Sequence, residues 1–405
     1  MATGDKHIIY AKPFLWAVIF GVLLYQDALA RFFSPISYFD EILAILFFLY
    51  FILHSSKKMD KKQLSILGLV SAILLIGFMG NLKSEVLTSI KNIVWDAFNI
   101  FKFVMAISGA LLYFENLKNK RYLMKYLNSI VRLSVILASL FMMLNLVADI
   151  GMHTDYRYGI RAYNFIFGRV GGFYSACVIW LIILKANQIY KVNNRIFIYL
   201  TLLNMCATLR SRAIAFVLVY VILNYLIFVK NDKKFNYWYF VPIVLLLFFT
   251  AKDQLLYYFS GERARNVLLK YGIITAKRFF PIGSGFSTYG TAVARDTYSQ
   301  LYLDYGFSSV WGLSKDNTDF LTDNYWPAVL GEFGIIGTLV MAYMHVSLFK
   351  FLMKFVNNRH SKLCLWFAYA TLMISSIASS SFFACTQLMI FVSLIVNLKE
   401  EKVYG

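Results

Sequence analysis

The chain is short of charge, of proline, of cysteine and above all of acid, and each shortage narrows what it can be. Only 15% of its 405 residues are charged, where a water-soluble protein carries about 25%. With 60% hydrophobic side chains and a mean hydropathy of +0.62, it has too few charges to cover a soluble surface, so the sequence describes a membrane protein. Five prolines and no low-complexity tract leave no room for a disordered linker. The four cysteines, Cys177, Cys206, Cys364 and Cys385, lie in or beside apolar runs and form no Cys-x-x-Cys pair. That spacing provides neither a disulfide framework nor a metal site, and they read as small buried hydrophobes. Carboxylates are outnumbered 21 to 40 by lysine and arginine, giving a formal charge of +19. A basic balance can indicate nucleic acid, but here there is no soluble domain to carry such a face.

What is present is a series of apolar runs, each near the roughly 20 residues that cross a bilayer as a helix. Twelve are expected, at 13–31, 36–54, 63–80, 97–114, 129–149, 165–185, 195–209, 212–229, 236–251, 326–349, 362–380 and 382–398. The fold class is therefore an all-α polytopic integral membrane protein. Residues 1–251 carry nine spans, 252–325 form one large loop, and 326–405 carry three spans and a short tail. The first twelve residues lack a small-residue cleavage site, so the first run is expected to stay as a signal anchor. Lysine and arginine collect on the cytoplasmic side. With both ends cytoplasmic, 23 of the 40 basic residues fall inside, in dense short loops such as KKMDKK and KNKRYLMK, and Lys102 lies within a span.

The 16 basic residues left outside differ in kind, because ten of them are arginine. Lysine alone satisfies a topology signal. A guanidinium is suited to forking two hydrogen bonds onto phosphate while staying charged in dry surroundings. The outer face thus reads as an anion site, although these arginines also have Asp155, Asp253, Glu262, Asp296 and Asp304 as available partners. Arg157 and Arg161 are four residues apart and would share one face of a helical turn. Arg210 and Arg212 stand at the junction of two spans, where an ionisable residue marks a functional site. In the large loop, the stretch from Arg263 to Phe280, with Arg265 and Arg278, has the spacing of an amphipathic helix lying on the membrane surface. Pro281 to Phe286, PIGSGF, either stops that helix or lets a phosphate or sugar approach Gly283 and Gly285. Tyr298, Tyr302 and Trp311, beside carboxylates and Asn324, suit either stacking on a sugar ring or an interfacial belt. Tyr325 and Trp326 fit the belt better.

These features together resemble the Wzy-type O-antigen polymerases, within the wider O-antigen ligase and polymerase group. Asp323-Asn324 followed after nine residues by Gly334-Ile335, with Gly331-Glu332 and Gly337, is similar to a motif that begins with histidine in the ligases. The aspartate here departs from the ligase pattern. Arg265 with Leu269, Ser211-Arg212 and Pro281–Phe286 resemble further elements of the group. Arg157 with Gly168, Arg161 with Gly172 and Arg295 with Gly306 match its spacing of arginine, ten residues and glycine.

The resemblance implies a GT-C-like membrane glycosyltransferase of the bacterial inner membrane, with both termini cytoplasmic and the large loop periplasmic. Such an enzyme moves a growing glycan from undecaprenyl diphosphate to the non-reducing end of a new lipid-linked repeat unit. It needs neither nucleotide sugar, cofactor nor metal, and a chain-length regulator protein is its expected partner besides the bilayer and the lipid-linked glycan. Under this reading Asp323, Arg265 and Arg212 are catalytic. Asp323 is the base, ahead of Glu332, for which the alternative is an ion pair with an arginine. Arg157, Arg161, Arg210, Arg263 and Arg278 bind the diphosphate, and Tyr298, Trp311 and Asn324 bind sugar. The alternatives are an O-antigen ligase and a lipid-linked oligosaccharide flippase or other transporter. The near-absence of proline from the spans and the single long loop count against a transporter with matching halves.

Overall fold

The computed structural model describes residues 12–55, 61–228, 261 and 263–399. Over these the chain is mostly helical, as all-apolar runs in lipid require: without water, every backbone group must be hydrogen-bonded within its own segment. In chain order the helices are α1 (Pro13–Leu24), α2 (Gln26–Leu29), a 3₁₀ turn (Ser34–Tyr38), α3 (Phe39–His54), α4 (Lys61–Ser84), α5 (Ile90–Asn116) and α6 (Lys120–Val147). A hairpin of β1 (His153–Arg157) and β2 (Ile160–Tyr163) follows, then α7 (Val170–Ala186), α8 (Arg195–Ala207) and α9 (Ser211–Phe228). After the expected ninth span, which lies outside the described residues, come α10 (Ala264–Arg278), the short α11 (Ala292–Asp296) and α12 (Gln300–Asp304), then α13 (Tyr325–Leu352), α14 (Arg359–Ser376) and α15 (Thr386–Val396).

Seven helical segments are long and apolar enough to cross a membrane: Ser34–His54, Lys61–Ser84, Ile90–Asn116, Lys120–Val147, Val170–Tyr190, Ser211–Phe228 and Tyr325–Phe355. Helices α1, α8 and α15 are apolar but shorter, at 12, 13 and 11 residues. The segment 361–398 holds two helices, separated by a turn that includes Ser379–Ser381. Apolar side chains fill the interior and also cover the outer surface. Helices α5 and α7 form the interior, while α6 turns Leu133, Leu140, Met143 and Leu144 outward. Such a belt of exposed aliphatics is stable only against lipid.

The bundle has two chemically distinct ends. At one, Lys120 Nζ donates to Asn397 O at 3.1 Å, Arg132 reaches Asn193 and Asn194, and Asn358 Nδ2 donates to Leu398 O. This is the lysine-rich end. At the other end meet the hairpin, the α8–α9 junction, the turn after α14 and the segment before α13. Gly334 has a φ of +62° and interrupts α13. The PIGSGF segment inserts into that break: Ser284 N donates to Gly331 O at 3.0 Å and Gly285 N to Glu332 O at 2.8 Å. Gly283 (φ +76°) lies against Gly334 N, so closely that a β-carbon at either glycine would collide with the other segment's backbone. From the other side Asn81 of α4 accepts from Phe286 N and donates to Phe286 O, at 2.8 and 2.9 Å. These two glycines therefore serve a backbone-to-backbone approach, and neither is open to a phosphate or a sugar.

The loop between α10 and α13 has its own core, made by Val267, Leu268, Phe279, Tyr289, Tyr298, Tyr302 and Phe307 among others. The expected amphipathic helix is α10, and Ile273 and Ile274 of its apolar set are exposed. It packs on α13, with Gly272 against Pro327, and gives Val267 and Leu268 to the loop core.

Candidate functional site

The site forms where four pieces of chain far apart in sequence meet. Between α8 and α9 only Thr208, Leu209 and Arg210 turn the chain, with Leu209 at φ +51° and Thr208 Oγ1 bonded to Met205 O. This tight reversal holds Arg210 and Arg212 at the mouth of the bundle. Arg212 donates to Ala378 O at 3.2 Å and lies over the Tyr174 ring, 5.5 Å from its centroid. The hairpin brings Arg157, whose Nε donates to Asp155 at 2.7 Å. The first turn of α10 brings Arg265, which donates to Asp323 Oδ2 at 2.8 Å.

Arg210 stands at the centre of these charges. Burial, the charge of Arg157 and that of Arg212 all work against its guanidinium, while Asp155 and Tyr174 support it. Its Nε is buried with no hydrogen-bond partner among the described residues. Arginine keeps its charge even so. Partial burial pushes the Asp155 carboxyl upward, but the hydrogen bonds from Arg157 and Thr154 and the charges of Arg157 and Arg210 outweigh it and hold it below the usual range. Asp323 behaves oppositely. Its burial is the stronger influence and raises its carboxyl above the usual range, against the pull of Arg265, Arg212 and Arg210. Among the described residues, Arg157, Arg210 and Arg212 gather around the one carboxylate of Asp155, three cations to one anion, with the Arg265–Asp323 pair beside them.

A polar cavity of 590 Å³ shares a wall with this cluster through Tyr174, Phe216 and the turn at Ser379–Ser381. Asp27, Asp40, Glu41, Lys102 and Arg169 also face it. Lys102 pairs with Asp40 at 3.3 Å and with Glu41 at 2.5 Å. Gln26 donates to Asp40 Oδ1 at 2.7 Å, while its own buried Oε1 accepts nothing among the described residues. Lys102, midway along α5, is therefore half of an ion-pair network on the cavity wall. From the sequence it was only a charge inside a span.

Several expected site residues are placed elsewhere. Arg157 and Arg161 lie on a hairpin and not on a helical turn; Arg157 pairs with Ile160 and Tyr156 with Arg161, so the two arginines point to opposite faces. Arg161 donates to Asn145 O at 2.8 Å, away from Arg210. Arg278, at the far end of α10 and about 20 Å along the helix from Arg265, pairs with Asp304 at 3.4 Å on an exposed surface. Arg263 is the N-cap residue of α10, beside Arg265. Tyr298 is buried in the loop core with its hydroxyl bonded to Leu313 O at 3.1 Å, which makes it a packing residue and not a sugar platform. Trp311 is exposed, edge-on to Phe320. Asn324 is buried and donates to Arg265 O at 3.0 Å, so it positions the first turn of α10; its Oδ1 has no partner among the described residues. Glu332 pairs with no arginine. Its Oε1 accepts from Thr288 N and Tyr289 N, and the Thr291 hydroxyl lies 3.1 Å from both Glu332 Oε1 and Asp96 Oδ2 of α5, between the two carboxyls. Asp96 also accepts from Ser287 N at 2.7 Å. This pair of buried carboxylates ties the inserted loop to α5 and α13. Nothing in the sequence signalled Asp96, a single acid at the edge of an apolar run.

No protein-family model matches the chain, and no curated protein sequence matches it.

Proposed function

We propose that the chain is a membrane glycosyltransferase that polymerises lipid-diphosphate-linked oligosaccharide units, of the O-antigen polymerase type. The observation that carries this reading is the gathering of Arg157, Arg210 and Arg212 around a single carboxylate, in a part-buried setting where Arg210 Nε has no hydrogen-bond partner among the described residues. Each phosphate of a diphosphate diester bears one negative charge, so this ligand neutralises the cluster and supplies the missing acceptor. Its leaving group also gains charge during the reaction, and fixed cations stabilise that charge most where water is excluded.

In this reading the donor's diphosphate lies against Arg157, Arg210, Arg212 and Arg265. The incoming hydroxyl of the acceptor glycan attacks the donor's anomeric carbon. The bond from that carbon to the diphosphate oxygen breaks, and its electron pair leaves on the lipid diphosphate. Asp323, held beside the cations by Arg265, takes the proton from the attacking hydroxyl. The neighbouring 590 Å³ cavity, within the size range of small-molecule sites, offers hydroxyl-rich walls for a sugar. The proposal extends to twelve spans in the inner membrane, cytoplasmic termini, a periplasmic large loop, undecaprenyl diphosphate as the lipid and a chain-length regulator as partner.

Deletion of the gene separates this reading from its rivals. A polymerase deletion leaves a single repeat unit on the surface lipid. Loss of even that unit would favour a ligase or flippase and overturn the proposal.

A further inference from the structure

At the lysine-rich end, away from the arginine cluster, a second cavity of 690 Å³ opens between α7, α8, α9 and the start of α14. Lys185, Lys191 and Arg195 face it, and no carboxylate stands among the described residues that line it. Lysines that only orient helices extend into water. Lys185 does not: it is 7% exposed, its Nζ donates to the neutral Asn224 Oδ1 at 2.8 Å, and it lies 4.1 Å from the centroid of the Phe228 ring. A neutral amide and an aromatic face offset only part of the cost of burying a cation. Arg195, whose like charge reaches Lys185, adds to that cost. Three converging cations with neutral hydrogen-bonding neighbours make a site that is complete when an anion occupies it.

The walls specify what the anion is attached to. Ile198 and the tyrosines Tyr199 and Tyr220 line the cavity beside the cations. Tyr199 is 69% exposed and the adjacent Ile196 71% exposed, so the mouth continues into the apolar outer surface of α8. An ion without a tail has no use for that lip, whereas a lipid phosphate fills the cavity with its headgroup and lays its chains along α8. Basic pockets between membrane helices hold anionic headgroups in this way. We infer that this cavity is a binding site for the phosphate headgroup of an anionic membrane lipid, structurally separate from the proposed transfer site.

The test uses the purified full-length protein in detergent and follows its thermal unfolding midpoint. It is titrated with a short-chain anionic phospholipid, with a zwitterionic phospholipid of the same chains, and with inorganic phosphate. The anionic lipid is expected to raise the midpoint and the zwitterionic one to leave it unchanged. Lys191 and Arg195 are both exposed, so the double variant Lys191→Ala/Arg195→Ala should fold. It should bind the anionic lipid about tenfold or more weakly, as loss of charge-assisted bonds to phosphate implies. If inorganic phosphate alone raises the wild-type midpoint as far as the lipid does, and the double variant loses that response, the phosphate site stands with a soluble source. Equal responses to both lipids with none to phosphate, or a double variant that responds like wild type, would overturn the inference.

Discussion

Asp323 is held by one arginine and reached by the charges of two more, yet burial leaves its carboxyl above the usual range. For a group that works as a base this fixes the sign of the pH response. The carboxylate is lost as pH falls through the raised value, so the acid limb of chain extension should lie above about pH 4, the ordinary aspartate value. Asp323→Asn should remove nearly all extension, and any residual rate should be flat across that limb. Normal polymer from this variant would reduce Asp323 to a residue that positions Arg265. The arginines differ among themselves. Arg210→Ala or Arg212→Ala should lower the rate by about a hundredfold to a thousandfold, the size of effect seen when one preorganised donor to developing charge is removed. Arg161→Ala, whose Nη1 donates to Asn145 O on the other face of the hairpin from Arg157, should leave extension within severalfold of wild type. A loss equal to that of Arg210→Ala would mean that the hairpin adopts another arrangement when substrate is bound.

Among the elements, the break in α13 and the segment inserted into it fix where the site lies. Gly283 and Gly334 both need positive φ, and each lies against the backbone around the other. Gly283→Ala therefore adds a steric collision to backbone strain of about 1–3 kcal/mol. Gly151 also has positive φ but has nothing within 4 Å of its missing β-carbon. Gly283→Ala should lower the unfolding midpoint clearly more than Gly151→Ala, and equal shifts would show that the insertion is not rigid. This contrast also marks the limit of what the sequence displays. The long helices are legible because their apolar residues are continuous, and length alone then decides. The insertion is not legible, because PIGSGF has the composition of a simple helix stop, and its partners Asn81, Asp96 and Glu332 lie up to hundreds of residues away. Arg157 and Arg161 have helical spacing, but Tyr158 and Gly159 at positive φ turn the chain into a hairpin. Tyr298 and Trp311 are alike in composition and neighbourhood, and only the packing of the loop buries one and exposes the other.

Across the whole molecule, the positive charge divides into two populations with different surroundings. At the lysine-rich end Lys185, Lys191 and Arg195 gather around a cavity. At the loop-rich end Arg157, Arg210 and Arg212 are part-buried and share one carboxylate, Asp155, among the described residues. If the lysine-rich end is cytoplasmic, an impermeant thiol reagent applied to intact cells should label Asp296→Cys in the large loop and spare Lys191→Cys. Labelling of Lys191→Cys alone would invert the orientation and place the arginine cluster on the wrong side for exported glycan. The proposed reaction needs only a lipid-diphosphate-linked glycan and this chain. The most direct measurement is therefore to incubate the purified full-length protein with such a glycan, supplying no nucleotide sugar, and to resolve the products by size. The prediction is a ladder of extended glycans from wild type, with release of lipid diphosphate, and none from Arg212→Ala. No ladder from folded wild-type protein supplied with its native lipid-linked unit, or an undiminished ladder from Arg212→Ala, would contradict it.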